Sequence, residues 1–144
     1  MAREDPLRNC RFRVEIGGLQ VGAFAEVSIG PTTTEVIDYR EGTDPSHVRK
    51  LPGLTMFGNV TLKHGVTTSL ELANWHLSVV QGEIATVRRH VAIIVQGEAG
   101  QDVARFEVIE AWPARYDVGD LNAKGNEVLI ELLELVNEGV QRVS

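Results

Sequence analysis

Residues 38–65 read DYREGTDPSHVRKLPGLTMFGNVTLKHG, and the reading of this stretch decides the fold. At its end, residues 59–63 (NVTLK) alternate apolar and polar, placing Val60 and Leu62 on one face, the mark of a half-buried strand. Residues 33–40 lead into it and are rich in Thr, Val, Ile and Tyr, all good strand formers. Between the two patterns lie eighteen residues, 41–58, without a regular period, and runs of that length inside compact domains usually carry function. They hold Gly42, Pro45, Pro52, Gly53 and the basic pair Arg49-Lys50, followed by the apolar side chains Leu51, Leu54, Met56 and Phe57. Apolar side chains in a long loop are costly to expose, so these either fold back on their own domain or dock on a partner. The expectation is an extended loop or arm over about residues 41–57 that touches another protein.

Working outward, residues 11–16 (RFRVEI) alternate Phe12, Val14 and Ile16 against Arg11, Arg13 and Glu15, a second half-buried strand. Gly17-Gly18 signals a turn, residues 23–29 alternate again, and Gly30-Pro31 breaks that run. After residue 65 the period changes. In residues 68–81 (TSLELANWHLSVVQ), Leu72, Trp75 and Val79 fall on one helical stripe, with Ala73, Leu77 and Val80 beside it. Thr68 and Glu71 have the spacing of a capping box, and Gly82 suits the position beyond the helix end. Residues 88–95 and 103–112 are strand-like and joined by the turn QGEAGQD, with Trp112-Pro113 expected to stop the second run. Residues 117–126 read as loop.

Residues 127–136 (EVLIELLELV) fit two states. A helix gathers Val128, Leu132, Leu135 and Val136 on one stripe, but it also stacks Glu127, Glu131, Glu134 and Glu138 without a basic partner. A strand places Val128, Ile130 and Leu132 on one face and Leu133 and Leu135 on the other. The sum is six or seven strands and one helix, which suggests a mainly antiparallel β-sandwich or small barrel with one flanking α-helix, a single domain over residues 1–144.

A chain with 43% hydrophobic and 24% charged residues is ordinary for a folded domain. Cys10, the lone cysteine, excludes an internal disulfide and any cysteine-based metal cluster. No apolar run approaches a membrane span, and the N-terminal residues lack the apolar core of a signal peptide, so synthesis in the cytoplasm is expected. Residues 1–90 hold ten basic and ten acidic residues, and residues 91–144 hold four and ten, so the net charge of −6 resides in the latter. An acidic face argues against tight nucleic-acid binding, yet suits a surface past which a polyanion slides.

Catalytic chemistry is not written in the sequence. His47, His64, His76 and His90 have no metal-ligand spacing, and separate packing or solvated roles are expected of them. Lys124-Gly125 reverses the order of a phosphate-binding loop. The Glu series at 127, 131 and 134 has no histidine companion in sequence and reads as a solvated or lumen-facing edge. Arg88-Arg89-His90 reads as a solvated strand start. No catalytic, cofactor or metal residue is expected.

The ordered set DPLRNCRFRVEI, VGAFAEVSI, DYREG…RKLPG…GNVTLKHG and WP…Y…DLNAKGNEV…E.LEL.NEG spans nearly the whole chain. It resembles the tail tube proteins of contractile-tailed bacteriophages and of phage-tail-like contractile injection particles. The resemblance implies hexameric rings stacked into a hollow inner tube, through which DNA or a protein effector passes, inside a phage tail or a released particle. It implies partners in the protein itself, a contractile sheath, baseplate or hub proteins and tube terminators, without membrane insertion. It makes residues 127–136 a strand, and 41–57 the arm that reaches a neighbouring subunit or ring. Arg40, Glu41, Asp44, Arg49, Lys50, Leu51, Leu54 and Phe57 are the expected contact residues. The alternative is a small-ligand-binding β-barrel of lipocalin type, which needs an apolar cavity inside one monomer.

Overall fold

The computed structural model describes residues 11–24, 26–42, 46, 48–65, 70–119 and 130–144, with residues 19, 20, 22, 23 and 84 described by backbone alone. Cys10, Asp44, His47, Thr68 and residues 120–129 lie outside the described residues. Alternating side chains and turn glycines cut the chain into β1 (Arg11–Ile16), β2 (Leu19–Phe24), β3 (Glu26–Ile29), β4 (Thr32–Tyr39), β5 (Arg49–Phe57) and β6 (Val60–Gly65). These are followed by α1 (Glu71–Val80), α2 (Ile84–Val87), β7 (Arg89–Gln96), β8 (Asp102–Val118), β9 (Ile130–Val136) and β10 (Gly139–Arg142). Among the described residues every strand pairing is antiparallel.

The strands run in the order β2-β1-β7-β8-β9-β6-β3, with β10 also on β8, and β4-β5 stand apart as a two-stranded ribbon. Gly17 and Gly18 have φ of 62° and 85°, the left-handed pair that a two-residue hairpin turn requires. The long path folds into two layers because β8 changes partners midway. Its residues 102–111 pair with β7, and its residues 112–118 pair with β9. At the bend Glu110 takes φ 51°, a left-handed conformation uncommon for a residue with a side chain.

Pro113 does not stop β8, contrary to the sequence expectation. It sits at a register shift between Pro113 and Arg115, where the ladder does not need its missing N–H. The expected strand over residues 23–29 is likewise two strands, β2 on β1 and β3 on β6, so the chain passes there from one sheet to the other. Asp117 and Val118, read as loop, complete β8. The segment with two readings is a strand from Ile130: Leu133 and Leu135 are buried while Leu132 and Glu134 lie on the opposite, partly covered face. The short elements α2 and β10 have too few residues to leave a periodic signal.

Inward-facing Val14, Val60, Leu62, Val91, Ile93, Val108, Leu133 and Leu135 fill the space between the sheets. Leu72 and Trp75 of α1 close it, and the Trp75 indole N–H donates to the Val87 carbonyl at 2.6 Å. The helix starts at Glu71 with Leu70 in the cap position and no side-chain cap bond; Thr68 of the expected capping box lies outside the described residues. Its other end matches expectation: Gly82, at φ 79°, donates its N–H to the Val79 carbonyl.

Strand β7 is buried on both faces. Ala92 and Ile94 point away from the core, yet only 2% and 1% of their surface is exposed. Ile94 lies between Arg13 and Arg105, and Ala92 between Glu15 and Glu107, on the neighbouring strands. The aliphatic stems of these side chains cover the strand while their charged ends reach water. The ends pair: Arg13 with Glu15 and Asp102 at 3.7 and 3.3 Å, and Arg105 with Glu107 at 3.4 Å.

Candidate assembly interface

Residues 49–57, read from sequence as part of a loop, form a strand. The proline and glycine that masked its period occupy an irregularity: the β4–β5 register shifts between Thr34 and Val36, opposite Gly53 and Leu54. A β-carbon on Gly53 would stand 2.9 Å from the Ile37 Cδ1, so the glycine leaves room for Ile37 to lie across the ribbon there, and a larger residue would make that side chain shift. The arm is thus a paired β-ribbon, and β4 and β5 pack principally on each other.

The pleat sorts its side chains into two unlike faces. One carries Thr33, Glu35, Ile37 and Tyr39 of β4 against Met56, Leu54, Leu51 and Arg49 of β5. The other carries Thr32, Thr34, Val36 and Asp38 against Phe57, Thr55, Pro52 and Lys50. On the first face Leu54 and Met56 are 77% and 74% exposed, and Ile37, Tyr39 and Leu51 are also open to solvent. On the second, the Thr34 and Thr55 hydroxyls hydrogen-bond at 3.0 Å and only Val36 is a strongly exposed large apolar group. The ribbon therefore has an apolar side and a mostly polar side.

The sequence-predicted contact residues divide accordingly. Arg49, Leu51 and Leu54 share the apolar face, whereas Lys50 and Phe57 fall on the other. Arg49 and Lys50 therefore do not form one basic patch. Arg40 and Glu41 are exposed just beyond the end of β4, where the Tyr39 hydroxyl donates to the Glu41 carboxylate. That bond is the main cause holding the Tyr39 phenol above its ordinary pKa. Asp44 lies outside the described residues. Sequence reasoning did not single out Ile37 and Tyr39, because the face they share with Leu51 and Arg49 depends on which β5 residues stand opposite. A period-two count over 33–39 marks them as one face; the irregular partner strand hid its meaning.

A second polar constellation lies inside the sandwich. Glu131 is buried, so the solvated-edge reading fails for it, and it does have a histidine companion. His64 Nε2 stands 3.4 Å from its carboxylate, because His64 and Glu131 are register partners on β6 and β9. The Tyr116 hydroxyl bonds the same carboxylate; burial first, then the Glu131 charge and that bond, push the phenol above its ordinary pKa. The Phe24 ring packs on His64 with centroids 4.7 Å apart. Among the described residues, no group of three or more His, Cys, Asp or Glu side chains converges as a metal site would. The basic run at 88–90 is engaged within the chain: Arg88 pairs with Glu138 at 3.5 Å, Arg89 lies over Trp75, and His90 meets Glu107 at 3.7 Å.

A two-sheet antiparallel sandwich that closes its own core, and carries a projecting ribbon with one apolar face, defines a structural subunit of the tube-protein fold. The chain belongs to the T4-like virus tail tube protein gp19 family, whose pattern it matches over residues 8–141. Comparison with curated proteins found no match. Among solved structures, the chain is similar to a protein of an extracellular contractile injection system, the PVC sheath-tube complex in its extended state. That likeness has a TM-score of 0.81 and 25% identity, covering 98% of this chain and 93% of the other. A chain in the cryo-EM structure of the anti-feeding prophage tube terminating cap aligns over 100% of this chain and 95% of its own, with a TM-score of 0.79 and 24% identity. Hcp1 from Flavobacterium johnsoniae shares the fold at a TM-score of 0.56 and 11% identity, over 92% of this chain and 94% of that one.

Proposed function

We propose that the protein is the subunit of an inner tail tube, closing into hexameric rings that stack into a hollow conduit for DNA or a protein effector. The observation that carries this reading is the exposed apolar face of the β4–β5 ribbon. A two-stranded ribbon is marginal in water by itself, and large exposed apolar patches mark contact surfaces. A neighbouring copy supplies the missing burial: the Ile37, Leu51, Leu54 and Met56 face docks on an adjacent subunit or ring, with Arg40, Glu41 and Arg49 alongside. Lys50 and Phe57 then face away from that contact or meet a second copy.

Ring closure follows from symmetry, since head-to-tail contacts that close make rings and a further repeat along the axis makes a tube. Joining the sheets of successive subunits also removes free strand edges, the usual aggregation liability of a β protein. The acidic excess of residues 91–144 suits a bore through which a polyanion passes without adhering. A contractile sheath, baseplate proteins and a tube terminator are the partners, an assignment supported by the sheath-tube, baseplate and terminator assemblies in which similar chains occur. The test is negative-stain electron microscopy of purified protein, which is expected to show rings or tubes. A strictly monomeric particle at high concentration, with no ring even beside sheath or baseplate proteins, overturns the reading.

A further inference from the structure

The ribbon is not hung on a flexible tether. Strands β3 and β6 pair Ile29 with Val60, and β4 and β5 resume with Thr32 opposite Phe57, which keeps the same alignment through Gly30, Pro31, Gly58 and Asn59. The two chains are bonded across that gap as well. Gly30 donates its N–H to the Asn59 carbonyl, and Gly58 donates to the Pro31 carbonyl, each at 2.9 Å.

They also approach closely enough to touch backbone to backbone. A β-carbon on Gly58 would lie 2.5 Å from the carbonyl carbon of Gly30 and 2.6 Å from its Cα. One on Gly30 would lie 2.9 Å from the Asn59 carbonyl oxygen and from the Gly58 Cα. No side-chain rotation relieves such clashes, because the opposing atoms are main chain; the two strands themselves must part or turn.

Two asparagines then fasten the crossing to the sandwich. The Asn59 amide donates to the Glu134 carboxylate at 2.9 Å, and the Asn137 amide donates to the Gly58 carbonyl at 3.0 Å. Glu134 belongs to β9, and Asn137 stands between β9 and β10, so both anchors come from the sheet's own frame.

We propose that Gly30 and Gly58, anchored by Asn59 and Asn137, are positioning residues for assembly: a fixed elbow that sets the direction in which the ribbon presents its apolar face. This rests on the reading of the ribbon as the inter-subunit arm. A stiff ribbon transmits a small rotation at its root into a large displacement at its tip. Each strand of the ribbon is some 25–30 Å long at about 3.3 Å per residue, so a 10° turn at the elbow moves the tip by roughly 5 Å. That is more than side-chain packing at a docked face accommodates.

The experiment compares three full-length variants with the wild type. Gly58→Ala adds one methyl at the crossing; Gly119→Ala, outside the arm, adds the same methyl where a β-carbon meets only the Ile130 carbonyl oxygen at an ordinary 3.7 Å; Leu54→Glu with Met56→Glu spoils the docking face. Circular dichroism and thermal melting report subunit folding, and electron microscopy reports tube yield and ring-to-ring twist. Gly58→Ala is expected to fold and to lose tubes or form them with altered twist, while Gly119→Ala assembles as wild type.

Wild-type yield and twist for Gly58→Ala, with the Leu54/Met56 variant unable to assemble, overturns the elbow and leaves the arm standing. Normal tubes from the Leu54/Met56 variant overturn the arm reading and the elbow with it. If Gly58→Ala does not fold, the double variant Asn59→Ala with Asn137→Ala decides instead: altered twist in folded protein supports the elbow, and unaltered twist overturns it.

Discussion

Strands β7 and β4 have the same length and contrasting fates. Residues Val91–Val95 of β7 are buried without interruption, whereas every residue of β4 is exposed. Both are strands for the same local reason, a run of β-branched and aromatic residues. The difference lies in what covers them. The former is enclosed by inward-facing side chains on one side and by the stems of Arg13, Glu15, Arg105 and Glu107 on the other. The latter has one partner strand and solvent. Strand formation and burial are therefore separate achievements, and in this chain the second remains incomplete over the ribbon.

The sharpest way to break that contrast is to truncate one side chain in each region. Trp75→Ala is expected to lower the stability of the isolated subunit by about 3–5 kcal/mol in chemical denaturation, through the cavity and the lost bond to Val87. Leu54→Ala is expected to shift it by no more than about 0.5 kcal/mol, because the side chain is already in water. Comparable losses from both would show that the ribbon packs on its own domain in solution.

Charge reversal refines the distinction between the ribbon's faces. Arg49→Glu is expected to reduce tube formation more than Lys50→Glu, read by sedimentation of assembled material, since only Arg49 shares the apolar face. Equal effects would mean that both faces are in contact. A smaller effect belongs to the sandwich alone: Gly82→Ala is expected to cost about 1–2 kcal/mol, because a left-handed residue with a β-carbon is strained. Tube geometry is expected to stay unchanged in that variant.

The smallest effect separates the two regions by their tyrosines. Both phenols are raised in the folded protein, so each favours the neutral form there. For Tyr116 this contribution is fully present below the unfolded value of about 10 and is lost as pH rises through the folded value. Alkaline titration by ultraviolet absorbance is expected to show a tyrosine ionising together with unfolding, and Tyr116→Phe to remove it. Tyr39 is expected to titrate with the fold intact, its delay set by the Glu41 bond.

Much of the sandwich was legible because period two survives wherever one face of a strand is buried. Val14, Ile16, Val60 and Leu62 were assigned inward from alternation alone, and all four are core residues. Where a strand bends between sheets, the local signals mislead: Pro113 punctuates the sequence yet lies inside β8, since the bulge there asks nothing of its nitrogen. At the candidate interface, residues 49–57 read as loop in the sequence and are a strand in the structure. An exposed strand with an irregular register has no need of alternating hydrophobicity, so residues 49–57 looked aperiodic.

The sequence by itself determined the inward alternation, the helix, the turn glycines, and the apolar character of the segment after Lys50. Periodicity is local, and these features are set by neighbours along the chain. Only the tertiary structure decided that Arg49 and Lys50 part to opposite faces, that His64 meets Glu131, and that Gly30 meets Gly58. Each of those depends on register between strands distant in sequence, which is fixed by the packing of the whole and written in no single stretch.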